Sequence, residues 1–81
     1  MKVILNLKNG RRTSVVQTKD VSYDSFEQRL YIYVDREHFY IIKNVAPYEA
    51  NAYINTLYQK DMLDLSGRNA SFSSYGLYKT F

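Results

Sequence analysis

The chain contains no cysteine and no tryptophan, a single proline, a single histidine and three glycines in 81 residues. Without cysteine, neither a disulfide nor a thiolate metal site can brace the fold, a usage that suits a reducing compartment. The glycines at 10, 67 and 76 are isolated, so there is no glycine-rich phosphate loop. His38 is the one imidazole, and its nearest acids, Asp35 and Glu37, are merely its neighbours in one turn. A Ser-His-Asp arrangement needs groups that converge from elsewhere in the chain. Asp35-x-Glu37-His38 has no distant partner at metal-ligand spacing, and Asp20, Asp24 and Glu27 lack the glycine and spacing of a calcium loop. No apolar run approaches the ~20 residues needed to span a bilayer. Met1-Lys2-Val3-Ile4-Leu5 is interrupted at once by Asn6 and Lys8, unlike a signal peptide. These absences point to a cytoplasmic protein that is not an enzyme, binds no metal or cofactor and does not enter a membrane.

What the chain does have is aromatic residues and a segregated charge. Its net charge is +3, but residues 1–19 carry Lys2, Lys8, Arg11, Arg12 and Lys19 with no acid. Residues 20–64 then carry all eight acids against Arg29, Arg36, Lys43 and Lys60, and residues 65–81 add Arg68 and Lys79. A basic edge beside an acidic face is the expectation. A chain this short makes one domain, residues 1–81, with a thin core, burying roughly 60–65% of its unfolded surface.

Alternating side chains at Val3, Leu5 and Leu7 run into Asn9-Gly10, the pair that best tolerates the positive φ angles of a two-residue hairpin turn. The predicted register sets Val3 opposite Val16, Ile4 opposite Val15, Leu5 opposite Ser14 and Lys8 opposite Arg11. Lys8, Arg11 and Arg12 then crowd a basic tip. Residues 19–28 are rich in turn formers and read as a loop or as a strand extension followed by a turn.

The strongest pattern is Arg29-Leu30-Tyr31-Ile32-Tyr33-Val34, a charged break, then Phe39-Tyr40-Ile41-Ile42. It predicts a second hairpin over 29–43. A loop of two or four residues pairs Val34 with Phe39 and Tyr33 with Tyr40. Leu30, Ile32, Val34, Phe39 and Ile41 then form the core face, and Tyr31, Tyr33 and Tyr40 share the other with Ile42. An odd-length loop would change the partners.

Pro47 suits the first position of a helix, and Ala50, Tyr53, Ile54 and Leu57 recur at helical spacing with Tyr58 at the margin. The helix is predicted over about 47–60, with Tyr53 and Tyr58 in the core. Asp61–Ser66 is expected to turn and Gly67 to supply a stop. Four aromatics between 71 and 81 predict a tail that is tied down, as an edge strand near 74–80 with a bulge at Gly76 or as a segment that orders only on a partner. The expected fold is α+β: an antiparallel sheet of four to five strands from two hairpins, 2–19 and 29–43, with one packed helix and an aromatic C-terminal strand or tail.

The Met1-Lys2-Val3-Ile4-Leu5-Asn6-Leu7-Lys8-Asn9-Gly10 opening hairpin, the Tyr/Asn/Lys-rich body free of cysteine and tryptophan, and the one sheet with one helix resemble the small accessory proteins of phages and mobile elements of Gram-positive bacteria. The resemblance covers the whole chain and carries over no individual residue. It implies a non-catalytic protein that binds a host protein or nucleoprotein complex, such as an inhibitor of a host defence nuclease (the CRISPR-inhibitor class) or of replication or transcription machinery.

Nine tyrosines supply the candidate surface, because tyrosine joins a large apolar area to a polar tip. If the helix covers the other face, Tyr31, Tyr33 and Tyr40 form an exposed strip flanked by Arg29 and Arg36, and these are the candidate binding residues together with the basic tip at Lys8, Arg11 and Arg12. If the sheet curls into a small barrel, the helix or tail caps the tyrosines instead. The same tyrosines suit a second reading, stacking of single-stranded nucleic acid with the cations on phosphates. Self-association through the strip, giving a homodimer, stays open.

Overall fold

A computed structural model describes residues 1–7 and 13–74. Six strands and one helix follow in the order β1 (Lys2–Leu7), β2 (Thr13–Gln17), β3 (Asp20–Asp24), β4 (Arg29–Tyr33), β5 (His38–Ile42), α1 (Pro47–Lys60) and β6 (Met62–Ser74). The strands form one sheet in the order β2-β1-β6-β5-β4-β3. The class is the expected α+β with one helix. The strand count and direction are corrected: there are six strands among the described residues, and β1 runs parallel to β6.

Two readings hold in detail, and a third that the sequence left open is decided. The first hairpin pairs Val3 with Val16, Ile4 with Val15 and Leu5 with Ser14. The helix spans Pro47–Lys60 with Pro47 in its first turn. Its N-terminus is held from inside, the Glu49 carboxylate accepting the Ala46 N–H at 3.0 Å. It ends where Asp61 turns left-handed (φ 57°) and donates its N–H to the Leu57 carbonyl at 2.8 Å. Residues 20–24 resolve as strand β3, followed by a turn.

The larger corrections concern β6. Gly67 stops nothing; it lies within a thirteen-residue strand. The pairing with β1 jumps from Leu5–Leu65 to Asn6–Asn69, so Ser66, Gly67 and Arg68 form an insertion with no partner on β1. Such an insertion bends a strand and switches which side chains face the core. Leu63 and Leu65 are buried before it and Ala70 after it, an odd–even change that hides the strand from any alternation test. The expected turn at Asp61–Ser66 reduces to Asp61 itself. The Asn9-Gly10 turn, the basic tip and, past Ser74, the edge strand expected near 74–80 lie outside the described residues.

β2 and β3 occupy opposite ends of the sheet, yet only Thr18 and Lys19 separate them in sequence. The sheet must curl until its ends meet at those two residues. The Thr18 N–H donates to the Met1 carbonyl at 2.8 Å, on the β1 side, and the Lys19 N–H to the Tyr33 carbonyl at 3.0 Å, on the β4 side. The buried Thr18 hydroxyl lies 2.7 Å from the Tyr33 carbonyl and 2.9 Å from that of Asp20. Inside the roll, Val3, Val16, Leu30, Ile32, Ile42, Leu63 and Leu65 pack against Val45, Ala50 and Leu57. One narrow crevice is lined from β1, β3, β4, β6 and α1 together, by Val3, Val21, Leu30, Leu63 and Leu57 among others. That shared lining is what a rolled sheet produces.

Candidate functional site

The position of the predicted tyrosine strip depends on the β4–β5 turn. Asp35 closes it: one carboxylate oxygen accepts the N–H groups of Glu37 (2.8 Å) and His38 (2.9 Å). His38 Nδ1 sits 2.9 Å from the same oxygen. These hydrogen bonds, first that from Glu37 and then the His38 side chain, hold the Asp35 carboxyl below its ordinary range. The Val34 N–H donates to the His38 carbonyl, leaving a three-residue loop, Asp35 to Glu37. An odd loop shifts the register by one, and Tyr33 faces Phe39 while Ile32 faces Tyr40.

The shift splits both predicted faces. Leu30, Ile32 and Val34 stay on the concave core side, but Phe39 and Ile41 cross to the convex side. Tyr31 and Tyr33 lie on the convex side and Tyr40 does not. Tyr40 packs against the core, its ring 5.2 Å from Phe72 on β6. On the convex side Tyr31 and Tyr33 are half-buried and near-parallel, with centroids 6.4 Å apart and planes at 19°. Both tilt against Phe39, at 5.8 and 5.7 Å, and Phe39 is only 2% exposed. A second, smaller apolar layer therefore lies on the outside of the sheet. Arg29 is on the same side, 3.9 Å from Glu27. Arg36 is exposed at the hairpin turn and, with Lys19, Asp20, Asp35 and Tyr33, lines an open depression of about 370 Å³. Lys8, Arg11 and Arg12 lie outside the described residues.

Tyr53 and Tyr58 separate as well. Tyr53 is half-buried against the core, but Tyr58 is exposed, its hydroxyl 3.3 Å from Asp20. Tyr53 belongs to a clamp that the sequence did not signal. Arg68, on the β6 insertion, donates from Nε to the Tyr53 hydroxyl (3.1 Å), from Nη1 to the Asn44 carbonyl (3.1 Å) and from Nη2 to Glu49. It ties β6 to the helix and to the loop before it. The Ala46 N–H, then Arg68, hold the Glu49 carboxyl below its ordinary value. Beside the clamp, Lys43, Asn44, Asn69, Ser71 and Ile41 help line an open pocket of about 320 Å³. A polar stretch, Ser-Gly-Arg-Asn, carries no periodicity from which this could be read.

The most exposed apolar side chain among the described residues was also missed. Phe26 is 92% exposed, in the turn between β3 and β4. That turn is fastened, since Asp24 Oδ1 accepts the N–H groups of Phe26 (3.0 Å) and Glu27 (3.2 Å). Gln28 takes the left-handed conformation (φ 55°), and its carbonyl accepts the Val45 N–H at 2.9 Å. Val45 leads into the first helical turn, where Tyr48 is 76% exposed. The Gln28–Val45 and Asp20–Tyr58 contacts lay the helix alongside β3 in the opposite direction, placing Phe26 and Tyr48 at one end of the molecule. The available signal was an apolar residue among turn formers, Asp24-Ser25-Phe26-Glu27-Gln28.

Among the described residues no three His, Asp or Glu side chains gather as a metal would require, and no helix is long and apolar enough to cross a membrane. No family model, curated protein or solved structure matches the chain.

Proposed function

We propose that this chain is a non-enzymatic binding domain that docks on a larger protein through the end bearing Phe26 and Tyr48. The observation that carries the reading is a phenylalanine 92% exposed on a turn whose backbone is fastened by Asp24 and Val45. Burying such a ring against a partner is favourable by about 2 kcal/mol or more, and a turn already ordered loses little entropy on docking. Tyr48 adds a second aromatic, the kind of group enriched in interface cores. The resemblance to phage and mobile-element accessory proteins supplies the partner class: a host protein or nucleoprotein complex whose activity is inhibited or modulated.

The test is affinity capture from host lysate with the immobilised wild type, Phe26→Ser, Tyr48→Ser and Tyr31→Ala, each checked for an unchanged Tm. A partner held by the wild type and weakened at least tenfold by Phe26→Ser supports the proposal. Equal retention by Phe26→Ser and Tyr48→Ser sinks it, and loss on Tyr31→Ala alone moves the site to the convex face.

One observation favours a second reading. The near-parallel rings of Tyr31 and Tyr33 share a face with Arg29 and Lys2, as base-stacking sheets do. Single-stranded oligonucleotide binding that falls steeply with salt and is lost in Tyr31→Ala would support it. No binding at low salt removes it.

A further inference from the structure

The two ends of the curled sheet are protected unequally. β3 lies beside the helix, whose Tyr58 hydroxyl is 3.3 Å from Asp20, and it carries Asp20 and Asp24, charges of the kind that keep other strands away. β2 has neither. Its five residues, Thr-Ser-Val-Val-Gln, contain no charge and no proline, and it is the end strand beyond β1.

The direction of its free groups follows from the ladder. Thr18 donates to Met1 in the β1–β2 register, so Val16 and Ser14, at steps of two, also turn their N–H and C=O groups toward β1. Thr13, Val15 and Gln17 turn theirs outward. Val15, at the middle of that row, is 64% exposed. An outward row of alternate donors and acceptors beside an exposed β-branched residue is a template for one more strand.

Charge selects the occupant. β1 and β2 hold no carboxylate, Lys2 is exposed opposite Gln17, and Lys19 is exposed two residues past the strand. A second copy pairing antiparallel about Val15 would set its uncharged Thr13 opposite Gln17, and its β1 and β2 bring no carboxylate to Lys2 or Lys19. We propose that β2 is a strand-addition site for an extended segment of a partner protein, apolar or threonine-rich at its centre and acidic at the flank that passes Lys2 and Lys19. The site is separate from the Phe26 surface, and neither depends on the other.

The probe is a blocked synthetic peptide, Asp-Glu-Val-Thr-Val-Thr-Glu-Asp, against one with lysine in place of every acid. Each is titrated into the ¹⁵N-labelled full chain and followed by amide shifts and hydrogen exchange. Expected are shifts centred on residues 13–17, slowed exchange of the Thr13, Val15 and Gln17 amides, and at least tenfold weaker binding of the lysine peptide. Val15→Pro removes an outward donor without touching the β1 ladder and weakens binding at least tenfold. Val15→Glu keeps the backbone donor, repels the acidic flanks and does the same. Absence of shifts at millimolar peptide, shifts centred elsewhere, or equal binding by either variant or by the lysine peptide overturns the proposal. So do concentration-dependent shifts at 13–17 without peptide, which would make a second copy the occupant.

Discussion

Leu57 is the side chain on which docking of the helix most depends, and Leu57→Ala measures it. It is fully buried where the helix meets the sheet, in the crevice lined by Val3, Val21, Leu30, Ile32 and Leu63. Removing three carbons forfeits about 2 kcal/mol of transfer free energy at ~0.8 kcal/mol per methylene. A residual cavity of roughly 70 Å³ adds about 1.7 kcal/mol at ~24 cal/mol per Å³. The expected loss is therefore about 3.5–4 kcal/mol, within the range of about 2–5 kcal/mol seen for buried leucines. A domain of this size has about 4–12 kcal/mol in total, so the variant sits near the edge of folding. Its Tm should fall by roughly 15–25 °C. Tyr58→Ala, one residue along the same helix but exposed, should cost under about 1 kcal/mol. Urea unfolding followed by circular dichroism reads both. A Leu57 loss below about 1 kcal/mol, or equal losses at the two sites, would refute the packing of α1 on the concave face.

Two further predictions follow from the register and the clamp. Phe39→Ala should cost about 3–5 kcal/mol because Phe39 is enclosed on the convex side, while Phe72→Ala, 57% exposed one strand away, should cost under about 1 kcal/mol; equal losses in denaturant titrations would contradict the enclosure of Phe39. Glu49 has its carboxyl lowered by the Ala46 N–H and Arg68, so its stabilisation is complete above the ordinary value of 4.5 and is lost as pH falls through the lower folded value. The Tm gap between wild type and Glu49→Gln should therefore be widest near pH 6 and close towards pH 3; a gap independent of pH would sever Glu49 from the acid limb.

Much of this fold was legible, for local reasons. Asn9-Gly10 permits one hairpin geometry well, so the β1–β2 register followed from it. Pro47 and the apolar stripe bounded the helix at both ends. The β4–β5 register was not legible because Asp35-Arg36-Glu37-His38 is compatible with several loops, and the choice rests on one carboxylate capping two amides. That one-residue step moved Tyr40 to the core and Phe39 outside it, so two of the three tyrosines in the candidate strip remain together. β6 escaped notice because its insertion interrupts the alternation and its partner β1 lies sixty residues away. The Arg68 clamp depends on that same nonlocal placement. Phe26 was visible as an oddity, but its exposure could be read only once the turn was seen to be fastened.

The last described strand in sequence is central in space, since β6 lies between β1 and β5. Until residues 62–74 have left the ribosome, the β1–β2 hairpin and the β3–β5 meander share little beyond the Thr18–Lys19 junction. Neither piece can enclose the core alone, and pairing Lys2 with Met62 closes a loop of most of the chain, a slow kind of contact. At synthesis rates of ~5–20 residues per second, the two halves wait for seconds with open edges. Folding is thus gated by the arrival of one strand, and a chain stalled before Met62 would present chaperones with two incomplete sheets.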